Sequence, residues 1–119
     1  MLSQRNRLKE KKAFLRVIRQ GGTAKNDILL LRFRLRKDSE GTSPKIGFSA
    51  SLKFSKKAVE RNKARRLMRE AVRPLVKKIS PGAEIVFSVN PALSLRELSL
   101  KKVGESAKKL LIKANLIIK

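Results

Sequence analysis

The stretch "KIGFSASLKFSKKAVERNKARRLMREAVR", residues 45–73, joins an alternating segment to a helical one. At its start, Ile46, Phe48 and Ala50 occupy every second position, which is the period of a strand with one buried face. Ser55 is a typical helix N-cap, and beyond it the apolar residues recur three and four positions apart. The stretch therefore predicts a strand followed closely by a long helix.

The segments on either side extend this pattern. Pro74 ends or kinks the central helix because it lacks a backbone donor. Leu31, Phe33 and Leu35 alternate with arginines, which predicts a strand with one buried and one basic face. The expected elements are a helix over 8–20, strands over 28–36 and 45–51, a helix over 55–73, a strand over 83–90 and a final helix.

The final helix is expected to open at Ser94 and Glu97, which have the spacing of a capping box. Its apolar stripe comprises Leu100, Val103, Ala107, Leu110 and Ala114. The predicted order is α-β-β-α-β-α in one domain over residues 1–119, an α+β fold with helices on one face of a small sheet. If the apolar sets of the strands meet the two later helices, the other sheet face carries Arg, Ser, Gly and Lys. That face would be either an open basic trough or an ordinary solvated surface.

Charge is the strongest compositional signal. The 119 residues include 31 Lys and Arg against 9 Asp and Glu, a net charge of +22, and no Cys or His. Such a chain repels itself when compact and favours a polyanionic partner, with nucleic acid as the first candidate. No apolar run is long enough to span a membrane, and the amino terminus lacks the apolar segment of a secretory signal. We expect a soluble cytoplasmic protein with no membrane partner.

The central helix separates an apolar face from a cationic one. On a helical wheel, Arg65, Arg66 and Arg69 cluster beside Asn62, and only Glu60 and Glu70 relieve the charge of the helix. Arginine offers paired donors to phosphate oxygens, whereas solvated helix faces normally mix both signs of charge. The pattern favours contact with phosphates over a solvated face.

The spacing on this helix closely resembles the signature of the protein subunit of bacterial ribonuclease P. "ERNKARRLMREA" supplies Arg-Asn, two residues, a basic pair ending in Arg, two residues, and Arg-Glu. "KIGFSASLKFSKKAVERN" and "KAFLRVIRQGG" resemble the family's strand and first helix, so the likeness covers most of residues 2–117. The chain departs from the family in having Leu52 within the Ser-Lys-Lys segment, Ile18 in place of an aromatic residue, and no Tyr.

The resemblance implies a protein that pairs with a large catalytic RNA and promotes removal of the 5′ leader from precursor tRNA. Mg²⁺ would be held mainly by the RNA subunit and substrate, and no obligate protein partner is expected. The family also implies a left-handed β-α-β crossover, against the usual preference. The leader would lie in a cleft between the first helix and the sheet.

Carried over to this chain, the resemblance gives two groups of candidate residues. Those expected to bind the RNA subunit are Lys57, Arg61, Asn62, Arg65, Arg66 and Arg69. Those expected to bind the leader are Phe14, Val17, Ile18, Ser49, Ser51, Lys53 and Lys56. Phe14 suits base stacking, with core packing against its apolar neighbours as the alternative. The two serines could be simple strand positions, and Lys53 and Lys56 could contact the RNA subunit together with Lys57 instead of the leader.

A catalytic or metal-binding role for the polypeptide itself has little support in the sequence. Without His or Cys, a protein nuclease would need carboxylates to assemble metals, and the acids are scattered. Asp38 and Glu40 fall in a turn-rich loop, where solvation is the simpler reading. We therefore assign no catalytic or metal-binding residue. A small basic ribosomal protein and a nucleoid DNA-binding protein remain as alternatives, and the apolar end of the last helix is read as core rather than as a membrane-surface segment.

Overall fold

A computed structural model describes residues 8, 11–35 and 43–117. The helices are α1 (Lys11–Gln20), α2 (Ala58–Val72) and α3 (Leu100–Lys113), and the strands are β1 (Gly22–Lys25), β2 (Leu29–Leu35), β3 (Lys45–Ser49) and β4 (Ala83–Val89). Two 3-10 helices span Arg73–Lys78 and Leu95–Glu97. The predicted acidic loop with Asp38 and Glu40 lies outside the described residues.

The four strands form one mixed sheet in the order β1-β2-β4-β3. The β1–β2 and β2–β4 pairs are antiparallel, whereas β3 and β4 are parallel and are joined through α2. The predicted α+β class and the β-α-β unit are thus confirmed. The left hand of the crossover stays a prediction.

Strand β1 was missing from the sequence prediction. The strand has only four residues, Gly-Thr-Ala-Lys, and its single apolar side chain gives no alternation that would predict a strand. Tertiary packing creates it, since Gly22 pairs with Phe33 of β2. A Cβ on Gly22 would lie 2.8 Å from the Phe33 ring, so the ring covers this glycine closely. The aromatic ring thereby supplies the packing that the glycine lacks.

The main core lies between one sheet face and the two later helices. Leu31, Ile46, Phe87, Met68 and Leu110 are among its fully buried side chains. The predicted apolar sets of the strands do face α2 and α3, because they belong to this single cluster. At the end of β2 the prediction was wrong, since Leu35 is 56% exposed. It is the last residue of the strand.

Helix α1 lies on the opposite sheet face, so the expectation that all helices share one face was wrong for this element. Val17 and Leu8 are buried against Val86, with Phe14 packed beside them. Val86 points away from the main core because its neighbours Ile85 and Phe87 point into it. β4 is consequently buried on both faces and requires a cover on each.

The first two helices begin later than predicted. Leu8 is not helical and instead donates its backbone N–H to the Ile46 carbonyl at 2.9 Å. Helix α2 begins at Ala58, and Ser55 stabilises the preceding turn rather than capping the helix directly. Its hydroxyl accepts from the Lys57 N–H at 3.1 Å and donates to Glu60 at 2.6 Å.

The capping box was predicted correctly, but it does not cap α3. Ser94 and Glu97 cap the short 3-10 helix, and α3 starts afterwards with Ser99 as its N-cap. Hydrogen bonds from the backbone and side chain of Ser94 lower the pKa of the Glu97 carboxyl. Because α3 begins at Leu100, this residue lies in the first turn of the helix and is 54% exposed. The other residues of the predicted stripe are buried or half-buried. None of the described helices is both long and apolar enough to cross a membrane.

Candidate nucleic-acid interface

The central helix α2 is divided lengthwise into a buried and a cationic side. Ala64, Met68, Ala71 and Val72 are buried in the core. Arg61, Arg65 and Arg69 follow one another at four-residue intervals and are half-buried, while Asn62 and Arg66 on the next strip are exposed. We call Arg61, Asn62, Arg65, Arg66 and Arg69 the arginine face.

Local contacts hold several of these side chains in place. The Arg61 guanidinium donates to the Ser55 carbonyl at 2.9 Å, and Arg65 donates to the Asn62 side chain. The Arg69 guanidinium lies 5.8 Å from the centre of the Phe48 ring.

The Phe48 ring is held in place by the core. Its ring stacks on Phe87 with 6.2 Å between ring centres, and Phe87 is fully buried. A guanidinium held over a ring attached to the core loses less side-chain entropy when it binds than a free one, and a free arginine carries about 2 kcal/mol of rotamer entropy. The arginine face is therefore partly preorganised for phosphate contact.

The sheet face opposite the main core forms a groove of about 700 Å³ at one end of the sheet. We call it the sheet groove. Its walls are Lys25, Asn26, Asp27, Leu29, Leu30, Arg32, Ser49, Ser51, Ser88, Val89, Asn90 and Pro91. The predicted basic trough thus exists at this end, whereas α1 covers the part of the face near Val86.

Two neighbouring arginines on β2 differ in their electrostatic surroundings. Arg34 donates to Glu84 at 2.8 Å, and the Glu84 side chain is only 4% exposed. Arg32 lines the sheet groove beside Ser88 and is half-buried. Since the Arg34 charge is neutralised within the sheet, the charge that faces the groove from β2 is that of Arg32.

Helix α1 forms one wall over the open sheet face through Phe14. A Cβ on Gly47 of β3 would lie 2.3 Å from the Phe14 ring, so the ring rests directly on the glycine backbone. Gly47 and Ser49 lie on the same side of β3, which makes Phe14 and the sheet groove neighbours along one face. Phe14 is half-buried, so its predicted core packing is observed and part of the ring remains accessible.

The other leader candidates separate into accessible and buried residues. Val17 is 0% exposed against Val86, so its side chain supports the wall and offers no surface to a leader in this structure. Ile18 is 38% exposed on α1. Ser49 and Ser51 line the groove. The exposed cations Lys53, Lys56 and Lys57 lie on the connection between β3 and α2.

Sequence reasoning missed several groove residues. Arg32 alternates with apolar residues on its strand, which is a signal for the basic face, but it was not among the predicted leader-binding residues. Lys25 and Asn90 had no such signal, because Lys25 ends the unpredicted strand β1, Asn90 follows β4, and only the fold brings the two together. The Asn90 side chain donates to the Asp27 carbonyl at 2.8 Å and thereby joins the two loops at the groove end.

Comparison with known proteins agrees with this arrangement. A sequence profile of the family described as Ribonuclease P matches residues 2–115. The chain belongs to the ribonuclease P protein family. The ribonuclease P protein component of Rippkaea orientalis is 39% identical over 118 residues, covering 98% of this chain and 91% of that protein. That of Exiguobacterium sp. is 34% identical and covers 86% and 90%.

Solved structures of ribonuclease P proteins share the fold. The protein from Thermotoga maritima is 28% identical with a TM-score of 0.77, over 92% of this chain and 97% of that one. The Staphylococcus aureus protein superposes with the same TM-score at 22% identity, over 95% and 98% of the two chains. Together with the family match, these structures agree that the chain has the sequence and the fold of a ribonuclease P protein component.

Proposed function

We propose that this chain binds the ribonuclease P RNA subunit through the arginine face and the 5′ leader of precursor tRNA along α1 and the sheet groove. The observation that carries the proposal is the division of the cationic surface between two faces. Arg69 lies over Phe48 on the core side of the sheet, whereas the sheet groove opens on the opposite side. Two separate surfaces allow two RNA segments to be bound at once.

The arginine face suits a folded RNA. Its guanidinium groups are regularly spaced along a rigid helix, and each offers a planar fork of donors to phosphate oxygens. Asn62 adds a neutral group that can donate and accept, which suits a sugar or base edge. Lys57 extends the same surface towards the connection from β3.

The sheet groove and its α1 wall suit a single strand of variable sequence. The accessible part of the Phe14 ring can receive any base, because every base has a stacking face. Ile18 adds apolar contact, and Ser49 and Ser51 can donate to sugar or phosphate oxygens. Lys53 and Lys56 lie between the two surfaces and contribute mainly through charge, which attracts a leader regardless of its sequence.

The chemistry in this proposal belongs to the RNA. The complex hydrolyses the phosphodiester bond at the mature 5′ end, with Mg²⁺ held mainly by the RNA subunit and substrate, and the protein contributes binding and orientation. In the described residues, no three His, Cys, Asp or Glu side chains come together as a possible metal site. The cytoplasm is the proposed location because precursor tRNA is processed where it is made.

Reconstitution tests the assembly half of the proposal. The protein is mixed with a bacterial ribonuclease P RNA and precursor tRNA at low Mg²⁺, and cleavage at the mature 5′ end is measured. We expect the wild type to raise the rate, and Arg65→Ala with Arg69→Ala to weaken RNA-subunit binding about tenfold or more. The matched control removes two exposed lysines at the end of the 3-10 helix Arg73–Lys78. This variant, Lys77→Ala with Lys78→Ala, should retain assembly. No stimulation by the wild type at any salt concentration would overturn the proposal.

A substitution at Phe14 tests the leader half. Phe14→Leu preserves apolar packing against Val17 but removes the ring face, so we expect about tenfold weaker binding of precursor tRNA with a leader. Binding of mature tRNA and of the RNA subunit should stay unchanged. Equal losses for substrates with and without a leader would show that the assigned division of roles is wrong.

A further inference from the structure

The outer surface of α3 carries lysines that the two proposed surfaces do not use. Its exposed side chains include five lysines and a single carboxylate, Glu105. The lysines are Lys101, Lys102, Lys108, Lys109 and Lys113. At about 100° per residue they form two rows roughly 110° apart, one on each flank of the exposed face, with Glu105 between them. Contacts of Gly104 and of Ser106 with the rest of the protein show which of the two flanks lies next to the sheet groove.

The flank that faces α2 is marked by Gly104. A Cβ on Gly104 would be 3.7 Å from the Ala71 carbonyl of α2, so this glycine faces the neighbouring helix. Lys101 and Lys108 lie beside it, three residues before and four after. This row therefore borders the helical layer and lies away from the β1 edge of the sheet.

The opposite flank is marked by Ser106, which is buried. The Asn26 side chain donates to the Ser106 carbonyl at 3.3 Å and fixes the β1–β2 turn against α3. Lys102 and Lys109 lie four residues before and three after Ser106, and Lys113 follows in the same row. We call these three residues the lysine row; it spans about 16 Å at the helical rise of ~1.5 Å per residue.

The same turn also forms the end of the sheet groove. Lys25 and Asn26 are both groove residues, and Asn26 is the residue that contacts α3. The Asn26 side chain also accepts hydrogen bonds from the backbone N–H groups of Ile28 and Leu29, both at 3.0 Å. Three hydrogen bonds of one side chain therefore hold the turn in place. One fixed turn thus connects the groove to the lysine row.

The lysine row has the charge and the spacing of a surface that can follow a phosphate backbone. Within the described residues, neither of the ion pairs found involves it, and its one noted electrostatic neighbour is Glu97, whose carboxyl has its pKa lowered in part by the Lys102 charge. Lysine acts as a mobile point charge and does not impose the paired geometry of arginine. A strand that leaves the groove past Lys25 would meet this row next, and its phosphates could be followed without regard to sequence.

From this geometry we infer that the lysine row binds the distal, 5′-terminal part of a long leader after the strand leaves the sheet groove at Lys25. The inference rests on the proposed function and adds to it a third contact region. It makes the affinity for precursor tRNA depend on leader length beyond the reach of the groove. Short leaders end before the row and gain nothing from it.

The test compares two matched variants in the holoenzyme reconstituted with the RNA subunit. Lys102→Gln with Lys109→Gln removes two charges from the lysine row, and Lys101→Gln with Lys108→Gln removes two from the opposite flank at the same spacing. Dissociation constants are measured for precursor tRNAs with leaders from about 4 to about 16 nucleotides, the range of site sizes of single-strand-binding folds. Melting temperatures of both variants verify folding.

We expect the row variant to lose about fivefold in affinity for the longest leaders and nothing for the shortest. For long leaders, the slope of log affinity against log salt should fall by about 1.4, or about 0.7 for each lost contact with a single strand. The flank variant should match the wild type throughout. Equal losses in both variants, a loss independent of leader length, or no loss would overturn the inference. A wild type that fails to respond to any leader would instead overturn the proposed function.

Discussion

Glycine at position 47 shows how a single residue shapes the candidate leader surface. Because Gly47 has no Cβ, the Phe14 ring can lie on the strand backbone, and the sheet groove begins two residues further along. Position 47 thus controls both the packing of α1 and the height of the ring above the sheet. A side chain here would occupy the space of the ring itself.

Gly47→Ala is therefore expected to be destabilising. The new methyl group would stand 2.3 Å from the Phe14 ring and force it outward, and overpacking of this kind costs about 1–3 kcal/mol. Thermal melting measures the loss, and leader affinity should fall with it. The control is Gly104→Ala, where the nearest atom is 3.7 Å away and the residue lies within a helix. That substitution should be neutral or stabilising, by up to about 1 kcal/mol. A Gly47→Ala protein as stable as the wild type would contradict the close packing.

At the scale of elements, the sequence predicted the features that depend only on residues within one segment. The apolar alternation of Ile46 and Phe48 and the cationic strip of α2 were readable because period and residue type are properties of the segment itself. Strand β1 was not readable, because it depends on the Phe33 ring of another strand. The side of the sheet occupied by α1 was not readable either, since it depends on Val86 facing away from the main core.

The same distinction applies to the candidate site. Arg65 and Arg69 could be predicted because their spacing belongs to one helix. The contact of Arg69 with Phe48 joins two elements, and the burial of Val17 follows from how α1 docks. The lysine row could be seen as a charge pattern, but only the hydrogen bond from Asn26 to Ser106 shows which flank meets the groove. Roles that depend on docking between elements thus require the structure.

The start of α2 provides a prediction at the element scale. The Ser55 hydroxyl bonds to Lys57 and Glu60, and its carbonyl holds Arg61. Ser55→Ala should cost about 1 kcal/mol, comparable to loss of an N-cap, and lower the melting temperature by about 4 °C. RNA-subunit binding should also weaken, because the turn that positions Arg61 is loosened.

Ser99→Ala is the matched control for this experiment. Ser99 caps α3 by accepting the Lys102 N–H at 3.2 Å, so its loss should lower the melting temperature by a similar amount. The arginine face lies on α2, and RNA-subunit binding should therefore be retained. If both variants lose RNA-subunit affinity to the same extent, the effect is one of stability, and the proposed role of the Ser55 turn is wrong.

For the whole molecule, charge opposes folding while the partner favours it. A net charge of +22 on 119 residues generates repulsion that the isolated chain must overcome. Nine acidic residues cannot pair with 31 basic ones, so internal ion pairs such as Arg34–Glu84 leave most of that charge in place. RNA phosphates would remove the repulsion at the arginine face and the sheet groove together. Assembly and stability should therefore be linked.

Sulfate should reproduce this linkage without RNA. An anion that binds only the folded chain stabilises it by about 1.4 kcal/mol at ten times its dissociation constant, which corresponds to about 5 °C in melting temperature. Circular dichroism during a sulfate titration measures the rise, and sodium chloride at equal ionic strength separates binding from screening. Because the sequence lacks His, the rise should be the same at pH 6 and pH 8. An equal rise in chloride would mean that screening alone relieves the repulsion, and no rise in either salt would mean that repulsion does not limit stability. Either result would leave the folding of this protein independent of its phosphate-binding surfaces.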